Sequence, residues 1–550
     1  MFRPEGQKAS RAGLRMLAIA TAGVTAASGA VVAGAVPGAT PASAGAVSAD
    51  PLEVDSLAVP AVEPVAAARS NGRLIVARLP RTVTHAYGMV AVTWAHGTAP
   101  DGTKVRVRSQ VDGVWTGWRA LPIDLDEGPS ADENVSGVRD GTVPLWVGDG
   151  SGIAVKVTAP GSTRPKHIRV ETIDPGSDPG TSASGRVASA GRGPTAPTTF
   201  PAMPKVITRA QWGADPSLDD QCWEPIYGSS AKMVFVHHTV NSNDYSRSDG
   251  KAIVRAIHAY HTQSRGWCDI GYNFLIDKYG KVYEGRRGGM RRPVRGAHAG
   301  DYNLNTVGVS LIGNFEIARP TQEMKRALIR FIGWRLGTSY VNVKDTVRIN
   351  GTRFDRISGH RDAMSTACPG KYVYRWLPRL RDRVAHYLSD YRSPIRMRAK
   401  DLGRGVTGPV FRGEDRQDGG LQTVFGNGVM FAKTGVGAHW LTGAVLRGYR
   451  ERGGTHSRFG FPVTDVETTS LSRVRRVVFE HGRMYRVGKR QPDTLWGRVL
   501  IRYRKLGGIT GRLGVPTSSM MPTGDGRKAN FAKGSITWNR DTGDVTVEFS

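Results

Sequence analysis

The sequence predicts a multidomain chain: an N-terminal antiparallel β domain, a central α/β domain with a mixed β-sheet flanked by helices, and a C-terminal repeat domain of short strands and turns. Three observations carry this. Alternating apolar runs separated by Asp-Gly turns fill residues 51–174, strand-like apolar runs alternate with helical periods over 204–392, and one motif recurs with a period near 54 residues within 421–550. A chain of 550 residues is also too long for a single ordinary core.

The first 44 residues read as an export signal. Arg3, Lys8, Arg11 and Arg15 precede an Ala/Val/Gly-rich stretch from Met16 to Val36, and Ala42-Ser43-Ala44 has the small-residue pattern of a cleavage site. Gly, Ser and Thr dilute that stretch and no second long apolar run follows, so no transmembrane anchor is expected after cleavage. The expected destination is secreted.

Within 51–174, Val90, Val92 and Trp94, then Val105 and Val107, alternate with polar neighbours, and Asp101-Gly102 and Asp112-Gly113 supply turns. Residues 175–203 are rich in Gly, Ser, Pro, Thr and Ala without apolar period, which predicts a flexible linker. In 204–392, apolar runs at 233–236, 274–276 and 307–312 alternate with helical periods at 248–264, 321–336 and 372–388. A second linker is expected at 393–420. Beyond it, Gly443-Ala-Val-Leu-Arg-Gly-Tyr449 matches Gly497-Arg-Val-Leu-Ile-Arg-Tyr503, and Phe459-Gly-Phe-Pro462 matches Leu513-Gly-Val-Pro516. Stacked repeats of this kind serve as binding scaffolds more often than as catalysts.

Lys and Arg total 76 against 47 Asp and Glu, a formal net charge of +29 that attracts polyanions over long range. Anionic wall polymers, acidic membrane surfaces and nucleic acid are all compatible with charge alone. No nucleic-acid motif accompanies it, so nucleic acid is not an expected partner.

Chemistry concentrates in the central region. Met233-Val-Phe-Val-His237-His238-Thr239 places a histidine at the exit of a buried strand, and Gly359-His360 is followed by Cys368 across a loop of small residues. The chain has three cysteines, 222, 268 and 368, and an odd thiol survives outside the cell when buried or metal-bound. Two imidazoles and a thiolate would give zinc three protein ligands and leave the fourth tetrahedral position for water, as a catalytic site requires. There is no His-Glu-x-x-His helix, Gly-x-Ser-x-Gly elbow or phosphate-binding loop, so the common zinc-protease, serine-hydrolase and nucleotide-triphosphatase motifs are absent.

Five ordered motifs resemble the type-2 N-acetylmuramoyl-L-alanine amidase and peptidoglycan recognition protein family. They are Val-His-His-Thr at 236–239, Gly266-Trp-Cys-Asp-Ile-Gly-Tyr-Asn-Phe274, Gly296-Ala-His-Ala-Gly-Asp-Tyr-Asn303, Val307-Gly-Val-Ser-Leu-Ile-Gly-Asn314, and Gly359-His-Arg-Asp with Ala367-Cys-Pro-Gly370. The resemblance covers 204–390 and implies a zinc hydrolase of the amide between muramic acid and L-alanine in peptidoglycan. It implies His237, His360 and Cys368 as metal ligands, His238 as structural, and Tyr272 and Thr366 as groups that stabilise the oxyanion. Phage members carry a lysine where Thr366 stands. It further implies that His261, Arg265, Gly266, Trp267, Arg286 and His298 line the groove for the stem peptide and sugar, with Arg265 and Arg286 suited to peptide carboxylates. Cys268 stands where several members have a half-cystine, which implies a disulfide with Cys222 closing a loop of roughly 46 residues. Members that only bind peptidoglycan commonly replace the ligand cysteine. The intact Cys368 therefore favours catalysis over the alternative, a noncatalytic peptidoglycan-binding or sensing protein. The C-terminal units resemble the LGFP repeats of actinobacterial wall proteins, which implies retention at the envelope, including on anionic wall polymers.

Overall fold

The computed structural model describes residues 50–63, 69–70, 73–124, 127–130, 137–178, 199–219 and 224–550. The expected signal at 1–44 and residues 179–198 of the first linker lie outside them. Among the described residues, no helix is long and apolar enough to cross a membrane.

The N-terminal region is an antiparallel sheet built around the long strand Arg73–Ala95, which pairs with Leu145–Ala159 and Arg169–Asp174. Its run Met89-Val-Ala-Val-Thr-Trp94 is buried on both faces, which explains why it reads as nearly continuous apolar sequence. Val90, Val92 and Trp94 point into the domain's own core with Val105, Val107, Val155 and Val157. Met89 and Ala91 point the other way, into a second core shared with Ile253, Ile257 and Tyr260 of the central region. The strand period of two thus welds the two regions together. Two short strands, Ile123–Asp124 and Arg139–Thr142, pair with each other at the edge facing the central region.

The central region has a six-stranded mixed sheet in the spatial order Val206–Ile207, Val282–Glu284, Phe274–Ile276, Thr306–Leu311, Met233–His238, Ile357–Gly359. All neighbours are parallel except the hairpin formed by 274–276 and 282–284. Helix Asp249–Ala259 covers one face, meeting Leu275 and Tyr283. Helices Gln322–Gly337 and Leu377–Tyr387 cover the other, where Phe274, Ile276, Val307 and Val309 meet Leu328, Phe331 and Leu380. The longer helix starts at Thr321, whose hydroxyl accepts from the Met324 amide at 3.1 Å as an N-cap.

The C-terminal region holds three four-stranded antiparallel sheets. One expectation needs correction here. Residues 393–420 are not a linker: Pro394–Leu402 is a helix capped by Ser393, Arg404–Thr407 is a further turn of helix, and Val410–Gln417 is the first strand of the first repeat sheet. The apolar Ile395 packs with Phe425, Met430 and Trp440, so this segment closes the first repeat. Beside their short strands and turns the repeats carry two helices, Gly443–Glu451 and Gly497–Lys505. Each sends a tyrosine onto the next unit. Tyr449 stacks on Phe479 with centroids 4.8 Å apart, and Tyr503 stacks on Phe531 at 4.5 Å, while their hydroxyls donate to the carbonyls of Gly460 and Gly514, each at 2.6 Å. This is nearest-neighbour repeat packing, in which one unit completes the core of the next.

Candidate metal centre

Sheet register brings the first two candidate ligands together. Strands 233–238 and 357–359 are parallel neighbours with Val236 opposite Gly359, so His237 and His360 leave the sheet side by side at its carboxyl end. Their rings lie 4.5 Å apart between centroids. The loop after His360 folds back, with the Arg361 amide donating to the Cys368 carbonyl at 2.9 Å. This return places Cys368 Sγ 3.7 Å from His237 Nδ1, where the sulfur also accepts from the His238 amide at 3.3 Å. The ligands expected from sequence therefore converge, and none is more than 6% exposed.

A fourth group joins them from the N-terminal region. Glu127 Oε1 lies 3.1 Å from His237 Nδ1 and 3.8 Å from His360 Nδ1. One donor atom from each of Glu127, His237, His360 and Cys368 lies within 4.8 Å of all the others. Zinc holds nitrogen or oxygen at about 2.0–2.1 Å and sulfur at about 2.3 Å, so donors around a tetrahedral ion stand about 3.3–3.6 Å apart. The separations of 3.1, 3.7 and 3.8 Å bracket that spacing, and the two imidazoles, thiol and carboxylate are zinc's donor types. The site residues fit zinc.

The surroundings orient these donors. Burial pushes His237 down to about 3, so its imidazole is neutral and has a lone pair to offer. Its Nε2 lies 3.1 Å from Nδ1 of His298, a contact that directs Nδ1 to the other donors. His298 is held in turn, since its amide donates to Asn303 Oδ1 at 2.8 Å. Its ring fits only because positions 296 and 308 are glycines: a Cβ at either would sit 2.3 Å from His298 Cδ2. Tyr272 donates its hydroxyl to Glu127 Oε2 at 2.5 Å, and burial, reinforced by the Glu127 charge, holds the phenol well above its usual pKa and therefore protonated. The Thr366 hydroxyl accepts from the Cys368 amide at 3.3 Å and shapes the ligand loop. His238 Nδ1 accepts from the Phe315 amide at 3.2 Å.

The expected groove residues are present, but the N-terminal region lies on them. His261 stacks on Trp267 with centroids 4.4 Å apart and accepts from the Gly271 amide at 3.1 Å. Arg265 is 2% exposed, pairs with the Asp124 carboxylate at 3.0 Å, and donates to the Arg139 carbonyl at 2.7 Å. Gly266 adopts φ +70, and a Cβ there would stand 3.0 Å from the Gly137 carbonyl oxygen. Arg286 is half-buried, its amide donating to the Tyr272 carbonyl at 2.9 Å and its side chain bordering a small cavity with Asn273, Glu284 and Arg335. Cys268 is disulfide-bonded, whereas Cys222 lies outside the described residues.

A second acidic and histidine cluster, Asp219, His258 and Asp269, lies under the groove. Arg209 already supplies its cation, donating to Asp219 at 2.6 Å and Asp269 at 3.0 Å, so this group is an ion-pair brace. Glu127 and Asp124 were not singled out by the sequence. They sit in a short acidic loop of another region, 110 residues before His237, and only the docking of the two regions gives them meaning.

Residues 227–371 match the family described as N-acetylmuramoyl-L-alanine amidase, residues 41–185 that described as Rv3811 N-terminal galactose-binding domain-like, and residues 513–549 the LGFP repeat. The chain is 31% identical over 177 residues to peptidoglycan-recognition protein SC1a/b of Drosophila simulans, covering 31% of this chain and 82% of that protein. It is 30% identical over 171 residues to peptidoglycan recognition protein 1 of Mus musculus, covering 31% of this chain and 84% of that protein. Among solved structures, Drosophila PGRP-LB wild-type is similar at 29% identity, covering 31% of this chain and 91% of that chain with a TM-score of 0.26. With its five central motifs, its match to the amidase family and these relatives, the chain belongs to the N-acetylmuramoyl-L-alanine amidase and peptidoglycan recognition protein family, and it carries C-terminal LGFP repeats.

Proposed function

We propose that this protein is a secreted, zinc-dependent N-acetylmuramoyl-L-alanine amidase that cleaves the amide between the lactyl group of muramic acid and the L-alanine of the stem peptide. The observation that carries the reading is the convergence of His237, His360 and Cys368 on one point at the carboxyl end of the central sheet. Zinc bound there supplies Lewis-acid polarisation of the amide carbonyl and acidifies the attacking water.

The chain's own residues do the rest. His298 fixes the ring of His237 through its Nε2. The Tyr272 phenol, kept protonated by burial, donates a hydrogen bond toward the oxygen that gains charge when the carbonyl is attacked. Thr366 adds a hydroxyl without a positive charge, so the oxyanion relies more on Tyr272 and the metal. Arg265 and Arg286 bind stem-peptide carboxylates, and His261 and Trp267 present an aromatic shelf to the rest of the groove. The LGFP repeats, in a chain of net charge +29, retain the enzyme on anionic wall polymers, a contact that high salt weakens.

Metal analysis and digestion of purified peptidoglycan test the reading together. The wild-type chain should carry one zinc and, over a long digestion, release new L-alanine amino termini, and Cys368→Ser should lose that release while still binding walls. Release that does not depend on Cys368, or a wild-type chain that binds walls and never cleaves them, would leave a recognition protein instead.

A further inference from the structure

We infer that Glu127, supplied by the N-terminal region, is a fourth protein ligand of the metal and that the enzyme is held latent by its own chain. The inference rests on the zinc amidase reading above. A hydrolytic centre needs one coordination position for water or substrate, and a carboxylate in that position closes it.

Three observations point the same way. The first is distance: Glu127 Oε1 stands 3.1 Å from His237 Nδ1 and 3.8 Å from His360 Nδ1, on the point where the other donors converge, and Oε2 takes the Tyr272 hydroxyl at 2.5 Å. One carboxylate thus engages both the ligand cluster and the group proposed to meet the oxyanion. The second is that the segment mimics substrate. Asp124 presents its carboxylate to Arg265, the cation proposed for a stem-peptide carboxylate, so two acidic side chains three residues apart fill two functions of the groove at once. The third is that backbone anchors hold the segment in place. Asn303 donates to the Gly128 carbonyl at 3.1 Å, the Ser130 hydroxyl donates to the Gly300 carbonyl at 3.0 Å, and Gly128 lies against the Trp267 ring, where a Cβ would stand 3.6 Å from Cζ2.

This arrangement separates tethering from closure. The shared core around Met89, Ala91, Ile253 and Ile257 fixes the N-terminal region to the central one, whereas Asp124 and residues 127–130 hold the groove outside that core, through an ion pair, hydrogen bonds and the Gly128 contact with Trp267. Stem peptide can therefore compete for Arg265 and the metal without the regions coming apart. Glu127 lies outside residues 227–371, so its role is a property of this chain's domain combination.

Cobalt(II) substitution of the full chain, with azide as a probe of the open position, tests the inference apart from activity. The wild-type visible spectrum should ignore azide, whereas Glu127→Ala should respond to it, and the isosteric Glu127→Gln should respond if the alanine variant folds poorly. Release of L-alanine amino termini should rise at least about tenfold in the variants, a shift of about 1.4 kcal/mol in the closed population. An azide-responsive wild-type spectrum, or release that falls when Glu127 is replaced, would overturn latency. A thiolate-to-cobalt charge-transfer band that survives Cys368→Ser would instead sink the metal-site reading beneath it.

Discussion

The cradle of His237, His360 and Cys368 and the segment that covers it were built by different rules. The cradle sits on two parallel strands and one return loop of the same domain, so its geometry follows from register: Val236 lies opposite Gly359, and the residue that follows each is a candidate ligand. The cover belongs to another domain and reaches the same point only because the 89–94 run of strand 73–95 is buried on both faces and docks against helix 249–259. A site built within one sheet has a local sequence signature. A site completed by docking does not, and its control is separable from its chemistry.

Perturbing each half in turn should expose that difference. The largest expected effect is on the cover. Asp124→Ala leaves Arg265, 2% exposed, without its anion, and breaking a buried pair of this kind costs about 3–5 kcal/mol. The cost should appear as lost amide-exchange protection at Arg139, whose N–H donates to the Arg265 carbonyl, with zinc content unchanged. Unaltered protection would mean that the pair does not hold the cover down.

Next comes the cradle. Gly308→Ala puts a methyl 2.3 Å from His298 Cδ2 and forces that ring off His237. Disturbing the partner of a metal-ligating histidine typically lowers affinity about 10–100-fold, measurable by competition with a chromogenic chelator. Affinity equal to wild type would show that the His298 contact does not orient His237.

The smallest change concerns the brace beneath the groove. For His258, burial alone would lower the pKa, but the hydrogen bonds it donates to Asp219 and Asp269, with the Asp269 charge, outweigh burial and the opposing Arg209 charge, so its folded pKa is raised. A raised histidine pKa stabilises the fold fully below the unfolded value, about 6.5, and that contribution disappears as pH rises through the folded value. Urea midpoints should therefore fall across that interval more steeply in wild type than in His258→Gln. Parallel pH profiles would remove His258 from the account.

These outcomes bear on how much of the molecule was legible. The central strands and helices, and the segments that bring His237, His360, Cys368 and Tyr272 together, could be read because buried parallel strands appear as short apolar runs and each of these residues sits in its own motif. The second linker was misread because residues 393–420 are polar and Arg-rich on their exposed side, and a single buried residue, Ile395, anchors the helix there. The helices at 443–451 and 497–505 were missed because each begins at a glycine with positive φ, the usual mark of a turn. Glu127 carried no signal at all, since its partners are more than a hundred residues away and the acidic loop around it looks like ordinary solvated charge.

X-ray absorption at the zinc edge of the full-length chain tests the central claim most directly. The structure predicts one zinc with a single sulfur neighbour at about 2.3 Å and three nitrogen or oxygen neighbours at about 2.0–2.1 Å, the sulfur vanishing in Cys368→Ser. A first shell without sulfur, or one that Cys368→Ser leaves intact, would contradict it.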